Sequence, residues 1–259
     1  MSTKITAAAA LLLSLCLPAV ARAQFNQYWL PVEQGLLDSH VDVQLQYSRL
    51  DVWGDDVNIA VLSLEGQYAI KNRFEVGLSV PAVVHNYGEG VRYEEDTGFG
   101  DIMVNLKLRL FSLGKAFSLA AYTNVMLPTH SNAETHDYSM FVPGVAATAK
   151  LLGVLFGGGL GMLYFVTGQE GVDNQAYVTV DIYGGYSLLG ILTFKLALQY
   201  ANSFQPDSDI WALGITPGVE VDILDIVRLG LAARIATNDE ARTLYGGRAS
   251  LLVHGGIGF

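Results

Sequence analysis

Alternation of apolar and polar residues runs through long segments of this chain, and it constrains the fold more than any other feature. In "DIMVNLKLRLF" (101–111) the even-numbered residues from Ile102 onward are apolar, whereas Asn105, Lys107 and Arg109 share the other parity. A period of two is typical of a β-strand, because successive side chains of a strand point to opposite faces. A helix over the same stretch would mix charged residues into its apolar stripe, so the pattern predicts a strand.

The chain contains twelve such segments, and the connections between them alternate in length. The segments span 39–50, 57–70, 73–85, 99–111, 116–128, 140–151, 154–166, 175–187, 191–202, 210–222, 226–236 and 244–259. The short connections lie at 71–72, 112–115, 152–153, 188–190 and 224–225, and the long ones at 51–56, 86–98, 129–139, 167–174, 203–209 and 237–243. Short turns that alternate with long loops are typical of outer-membrane barrels, with the long loops outside the cell. The sequence therefore predicts an all-β, transmembrane, antiparallel up-and-down β-barrel of about 12 strands over 39–259.

Two other folds fit the sequence less well. A soluble β-sandwich needs neither strands long enough to cross a bilayer, roughly 9–11 residues, nor aromatic residues at both ends of an apolar face. A membrane helix over "LLGVLFGGGLGMLYFV" (151–166) would be short and would hold five glycines, each costly in a helix interior. A closed barrel also explains the composition, 51% hydrophobic with 28 glycines, because lipid can cover its outer face.

The N-terminus predicts export from the cytoplasm. In "MSTKITAAAALLLSLCLPAVARA" (1–23), Lys4 precedes an apolar run that ends in a small-x-small cleavage site, which is typical of a secretory signal peptide. The only cysteine, Cys16, would leave with the signal, so the mature chain is expected to form no disulfide. The segment 24–38 is a short pre-barrel segment, too short for a plug domain, that would fold into the lumen or lie in the periplasm.

The C-terminus predicts how the barrel reaches the outer membrane. The chain ends in "LLVHGGIGF", with the aromatic Phe259 on the apolar parity of the last strand. Final strands of outer-membrane barrels typically end on such an aromatic residue, which the barrel-assembly machinery reads as an insertion signal. We therefore predict that this machinery is a partner, together with outer-membrane lipid and lipopolysaccharide.

The charge of the chain indicates acidic loops and argues against nucleic acid as a partner. The formal net charge is −10, and loss of Lys4 and Arg22 with the signal makes it −12. The long connections hold fifteen carboxylates against only Arg92 and Arg242. These carboxylates are Asp51, Asp55, Asp56, Glu89, Glu94, Glu95, Asp96, Glu134, Asp137, Glu170, Asp173, Asp207, Asp209, Asp239 and Glu240. Crowded like charges repel unless cations screen them, so Ca²⁺ or Mg²⁺ at these loops is the one cofactor that the sequence suggests.

The inward parity of the predicted strands collects charged residues that would line the lumen. The acids are Asp42, Glu65, Glu75, Asp101, Asp181, Glu220 and Asp222, and the bases are Lys107, Arg109, Lys150, Lys195, Arg228, Arg234 and Arg248. Seven acids balance seven bases, so the net charge is expected on the loops. Charged groups cannot stay unpaired in a low-dielectric wall, so these must either pair across strands or face water.

One short block resembles a known family. In "TGFGDIMVNLKLRLF" (97–111), a turn of Gly98, Phe99, Gly100 and Asp101 leads into a strand that carries Lys107. This arrangement resembles the outer-membrane transporter-like proteins grouped under the name "MetA-pathway of phenol degradation". The resemblance implies uptake of small, often aromatic, compounds.

Together these features predict a porin-like channel for passive passage of small solutes, among them small aromatic or hydrophobic compounds. A closed structural or surface-contact barrel is the alternative, and an outer-membrane hydrolase is the weakest of the three. The loop "THSNAETHDYS" gathers the only candidate metal ligands, His130, Glu134, His136 and Asp137. No catalytic group is predicted, because this loop lacks a paired partner on another loop and no lipid-facing Ser–His spacing is found.

Overall fold

The computed structural model describes residues 37, 39–52, 55–88, 98–114, 116–129, 138–167, 175–204, 210–223, 226–244 and 248–258. The predicted signal peptide, most of the segment 24–38, the loop with the candidate metal ligands, and Phe259 lie outside the described residues.

The described part of the chain forms thirteen β-strands and one short helix. The strands are β1 His40–Val52, β2 Asp55–Ile70, β3 Phe74–Gly88, β4 Gly98–Phe99, β5 Ile102–Leu113, β6 Phe117–Leu127, β7 Tyr138–Leu151, β8 Val154–Thr167, β9 Gln175–Leu188, β10 Leu192–Ser203, β11 Trp211–Ile223, β12 Val227–Ala236 and β13 Ala249–Gly258, and the helix is α1 Asp239–Leu244. The short β4 and the long β5 share one position in the wall, because both pair with β3.

The sheet closes on itself as a barrel of twelve wall strands. Each strand pairs antiparallel with its neighbour in sequence, and β1 pairs with β13 from His40 opposite Gly258 to Arg49 opposite Ala249. A closed sheet leaves no strand edge, so backbone N–H and C=O groups can be paired within the wall, as a membrane requires. The predicted fold class is confirmed.

The outer face of the barrel is apolar and the inner face holds the polar groups. On β10, Phe194 and Leu196 are 52% and 49% exposed, while Thr193 and Lys195, which alternate with them, are buried. The same alternation continues around the ring, so apolar side chains form a continuous outer surface that only lipid can cover without cost. The barrel is therefore an outer-membrane barrel. In the described residues, no helix combines the length and the hydropathy needed to cross a membrane.

The short turns follow from local backbone geometry. Between β7 and β8, Leu151 pairs with Val154, and the two residues between them, Leu152 and Gly153, have φ of 51° and 81°. Two central residues with positive φ match the twist of the flanking strands and permit a two-residue hairpin. The short connection predicted at 152–153 is thus present.

Most strand ends differ from the predicted ones by one to three residues, and three differences change a connection or a strand. The connection predicted at 51–56 is shorter, since β1 and β2 stay paired as far as Val52 opposite Asp55. The connection predicted at 237–243 contains α1, and the last strand begins at Ala249 rather than at 244. The third difference is a break in the fourth predicted strand. Ala82 lies opposite Phe99 and Ser79 opposite Met103, so one extra residue is inserted at Gly100–Asp101 as a bulge.

Candidate functional site: the inner face of the barrel

One group of charged residues, which we call the Lys107 cluster, lies on the inner face of β2, β3 and β5. It consists of Glu65, Gln67, Glu75 and Lys107. Lys107 Nζ is 2.7 Å from Glu75 Oε1, because the two residues lie directly opposite each other in the register of β3 and β5. Lys107 also donates to Gln67 Oε1 at 3.4 Å, and Gln67 Nε2 donates to Glu65 Oε1 at 2.5 Å. The Lys107 and Glu75 side chains are only 4% and 1% exposed, so this ion pair is enclosed inside the barrel.

A second group, the Glu220 cluster, lies on β10 to β13 and contains Lys195, Glu220, Asp222, Arg228 and His254. Lys195 Nζ is 2.8 Å from Glu220 Oε2, and His254 Nε2 is 3.3 Å from the same oxygen. Arg228 Nε lies 3.4 Å from Glu220 Oε1 and 3.2 Å from Asp222 Oδ1. One carboxylate is therefore surrounded by three basic side chains. This cluster is buried around Glu220 and becomes partly exposed toward Asp222.

A third interior contact joins Asp181 to β10 and β12. Asp181 lies opposite Gln199, whose side chain hydrogen-bonds to it, and the charge of Arg234 acts on it as well. Arg234 is 2% exposed. Arg234 lies on β12 and Asp181 on β9, with β10 and β11 between them in the sheet. The charge of the long guanidinium side chain therefore acts along the inner face on the acid.

The remaining predicted lumen residues lie nearer the ends of the barrel. Asp101 Oδ1 accepts a hydrogen bond of 2.8 Å from the backbone N–H of Thr129 at the end of β6. Arg109 donates to Asn72 O at 2.9 Å and to Asn72 Oδ1 at 2.6 Å, at the short turn after β2. Lys150 and Arg248 are exposed. These residues take part in the wall and its turns, and a transport role for them stays a prediction.

Asp42 occupies a separate position on β1. His40 Nε2 is 3.2 Å from its Oδ2 atom, and a Cβ atom added to Gly256 would collide with the Asp42 carboxylate. Gly256 lies between Asp42 and Arg228 in the strand register. The glycine therefore lets the Asp42 side chain lie flat against β13, on the side where the Glu220 cluster begins.

A contiguous apolar surface, the apolar wall, covers the inner face of β5 to β8. Its members are buried hydrophobic residues of one cluster: Met103, Tyr122, Met126, Met140, Val142 and Leu163. Met103 lies opposite Met126, and Met126 opposite Met140, so three thioether side chains form a row across neighbouring strands. Phe165 and Tyr177 extend the wall with an edge-to-face contact, their ring centroids 6.1 Å apart. Sequence reasoning followed the inward charges and missed this surface, although the same inward parity marks its members.

Glycines hold two tyrosines flat against the wall. A Cβ atom at Gly144 or Gly161 would collide with the Tyr122 ring or hydroxyl, and one at Gly157 would collide with Tyr183. The Tyr183 hydroxyl donates to Ala147 O at 3.2 Å and is hydrogen-bonded to Thr148 Oγ1. At Gly157 and Gly161 the missing side chain therefore permits close contact with another element of the wall.

The helix α1 folds over the inner side of the rim. Asn238 caps it by accepting a hydrogen bond of 3.1 Å from Ala241 N, and it donates 2.6 Å to Trp211 O at the start of β11. Ala241 is fully buried in the same hydrophobic cluster as the inward Ala212. The first part of the connection between β12 and β13 is therefore held against β11. This helix was not predicted from the sequence, although a capping Asn followed by two acids is a signal for a helix start.

The described residues show no metal cluster of three or more His, Cys, Asp or Glu. The predicted ligands His130, Glu134, His136 and Asp137 lie outside the described residues. His254 and Ser250 share the inward face of β13, but they have different partners. Ser250 Oγ is 2.8 Å from Ser48 Oγ, and His254 lies beside Glu220. These two residues therefore form no Ser–His dyad.

Comparison with known proteins decides the family. The model of the family described as "Putative MetA-pathway of phenol degradation" matches residues 51–250, which is most of the chain. The chain belongs to this family. The matched region includes the bulge at Gly100–Asp101 and the apolar wall. No curated protein matches the chain.

Solved structures similar to this barrel are outer-membrane proteins. The COG4313 outer membrane channel from Pseudomonas putida F1 has a TM-score of 0.66 and 12% identity, with 92% of this chain and 100% of that chain covered. The NanC porin has a TM-score of 0.56 and 11% identity, with coverage of 85% and 98%. The KdgM porin, solved with disordered oligogalacturonate, has a TM-score of 0.54 and 10% identity, with coverage of 85% and 99%. At such identities the likeness concerns the fold alone.

Proposed function

We propose that this protein is a porin-like channel through which small solutes cross the outer membrane passively. The observation that carries the proposal is the division of the inner face into charged clusters and a contiguous apolar wall. A barrel that served only as a membrane anchor would need no such organised interior. Twelve strands also give an intermediate width, because eight strands close on their own side chains and sixteen leave a wide channel.

We further propose that small aromatic or hydrophobic compounds are among the solutes. The apolar wall supports this, since it offers Met, Tyr, Val and Leu side chains toward the interior at a level where a general pore would present polar groups. The family description, which refers to phenol degradation, agrees with the same class of solute.

A closed structural barrel is the second candidate, and one observation favours it. The ion pairs Lys107–Glu75 and Lys195–Glu220 have side chains that are only 1–4% exposed. Ion pairs that link strands at that depth would connect their inner faces and narrow the interior of the barrel. The two candidates differ in conductance, which a closed barrel would lack.

Single-channel recording separates the candidates. The purified protein, reconstituted into a planar lipid bilayer, is expected to show discrete conductance steps of a narrow pore. Under a salt gradient we expect weak selectivity with a mild cation bias from the acidic mouth, and the bias should fade as salt screens it. Complete absence of conductance in correctly folded protein would refute the channel and leave the structural barrel. Strong anion selectivity at high salt would contradict the balanced interior.

The same proposal includes the surroundings of the barrel. Outer-membrane lipid covers the apolar outer face, lipopolysaccharide contacts the outer rim, and the barrel-assembly machinery inserts the chain. Divalent cations, Ca²⁺ or Mg²⁺, would order the acidic loops. The exposed apolar belt of the barrel supports the lipid contact, and the acidic composition of the long connections supports the cation contact.

A further inference from the structure

The inward side chains of β5 change from apolar to charged between the end near the long loop and the end near the short turn. Its inward residues are Met103, then Asn105, then Lys107, and all three are buried. Met103 belongs to the apolar wall and Lys107 to the charged cluster. Asn105 therefore marks the boundary between an apolar and a charged zone.

Two polar side chains at this boundary are buried without hydrogen-bond partners in the described part of the chain. Asn105 is 1% exposed, and both its Nδ2 and its Oδ1 lack a partner. Ser79, on the neighbouring strand opposite Met103, is 0% exposed, and its Oγ also lacks one. Buried polar groups are nearly always hydrogen-bonded, and those that are not call for an explanation, for which a bound molecule is one candidate.

Gly77 leaves the space in which the Asn105 amide lies. Asn105 lies opposite Gly77, and a Cβ atom at Gly77 would come within 3.2 Å of Asn105 Cβ and 3.3 Å of its Nδ2. The amide thus rests on the glycine, two residues along β5 from Met103, the first member of the row of Met103, Met126 and Met140. Methionine is unbranched and flexible, so this row can change rotamers to admit a guest and still contact it.

We propose that Asn105 and Ser79, with the adjacent methionine row, form a binding subsite for a neutral solute that has an apolar body and one hydroxyl or carbonyl group. The inference rests on the proposed channel function and names the solute chemistry at one level of it. The methionines contact the apolar body, and the Asn105 amide and Ser79 hydroxyl donate to or accept from the polar group. Because Lys107 is already held by Glu75, an ionised solute would gain little at this level.

The test measures binding of three probes that share a phenyl ring and one substituent carbon to the full mature protein in lipid nanodiscs. Benzyl alcohol carries the hydroxyl, toluene lacks it, and benzoate replaces it with a charge. Ligand-observed NMR gives each Kd after subtraction of partitioning into empty nanodiscs. Benzyl alcohol is expected to bind most tightly. Tighter binding of benzoate, or equal binding of toluene and benzyl alcohol, would overturn the proposal.

Substitution of the polar groups supplies the matched comparison. Asn105→Leu should weaken benzyl alcohol binding about three- to tenfold, the equivalent of one neutral hydrogen bond, and leave toluene unchanged. Asn202→Leu, on the exposed outer face of β10, is the control. Ser79→Ala serves as a second variant and should give a smaller loss. Unchanged benzyl alcohol affinity in folded Asn105→Leu or Ser79→Ala protein would indicate that these groups hold only water, and the proposal would fail.

The methionine row has its own comparison. Met126→Ala should weaken the binding of both benzyl alcohol and toluene, whereas Met162→Ala, on the outward parity of β8, should weaken the binding of neither probe. Equal effects of the two variants would refute the row as the apolar contact. The outcomes also separate this proposal from the channel itself. Probe binding without conductance would refute passage and keep the subsite, and conductance without probe binding would refute the subsite and keep the channel.

Discussion

The buried pair Lys195–Glu220 gives a quantitative test of how the interior is built. Its side chains are 3% and 4% exposed, with Nζ 2.8 Å from Oε2. Removing one partner of a buried ion pair leaves an uncompensated charge and lowers the free energy of unfolding by about 3–5 kcal/mol. Glu220→Gln should lie at the upper end of that range, because it also deprives Arg228 and His254 of the carboxylate.

The companion variants follow from the same geometry. Lys195→Met should lower the free energy of unfolding by less, about 3 kcal/mol, because Glu220 keeps Arg228 at 3.4 Å and His254 at 3.3 Å. The double variant should lower the free energy of unfolding by clearly less than the sum of the two single variants. The reason is that neither the Lys195 ammonium nor the Glu220 carboxylate is then present without the other. Arg242–Asp239 is the surface control. The Asp239 side chain is 83% exposed, so breaking this pair should cost about 0–1 kcal/mol.

Reversible urea unfolding of the barrel in lipid vesicles, followed by tryptophan fluorescence, measures these free energies. Heat-modifiable gel mobility confirms that each variant is folded before titration. If Glu220→Gln costs less than about 1 kcal/mol, like the exposed control, the cluster is solvated. Such a result would refute the enclosure of the Lys195–Glu220 pair.

Four further outcomes are expected. Gly157→Ala should destabilise the barrel by about 1–3 kcal/mol in the same unfolding assay because its Cβ meets Tyr183 and Ala147 O, whereas Gly66→Ala, with no atom within 4 Å, should be near neutral. Deletion of Phe259 should lower outer-membrane assembly while Phe259→Tyr is tolerated, and unchanged heat-modifiable protein after the deletion would contradict the insertion signal. Millimolar Ca²⁺ or Mg²⁺ should raise the melting temperature, and equal melting in chelator at matched ionic strength would speak against cation-ordered loops. A cysteine introduced at position 133 should be labelled in intact cells and one at position 72 should not; the reverse pattern would invert the topology.

Local patterns predicted the barrel well, because the features that specify it are local. Strand period needs only neighbouring residues, and the short turns need only a few residues of suitable backbone. The inward burial of Glu75, Lys107 and Lys195 follows directly from parity on their own strands. The fold class and most strand positions could therefore be derived without knowledge of any tertiary contact.

Partners across strands could not be derived in this way, because they depend on register. Glu75 meets Lys107 only because β3 and β5 pair at that offset, and the bulge at Gly100–Asp101 then shifts the offset by one residue. The Asp101 carboxylate, for example, accepts a hydrogen bond from the backbone N–H of Thr129. No periodicity in the sequence encodes that contact.

The apolar wall was missed for a related reason. Inward methionines on three separate strands look like isolated exceptions to a polar parity until register brings Met103, Met126 and Met140 into one row. Glycines have the same dependence, since Gly144 and Gly161 gain a role only when Tyr122 lies across them.

The energetics of the charged clusters and the function of the barrel are linked through water. Breaking an ion pair has a large effect on stability only where water is excluded, since a solvated ion pair contributes little to stability. A large loss of unfolding free energy on breaking Lys195–Glu220 would mean that water is excluded from that part of the wall. Solutes would then pass along the apolar side of the interior. A small cost would mean that water reaches the cluster, and the channel would then be a hydrated pore with charged groups on its wall. The stability measurement and the conductance recording therefore constrain the same property, the hydration of the lumen, from two independent directions.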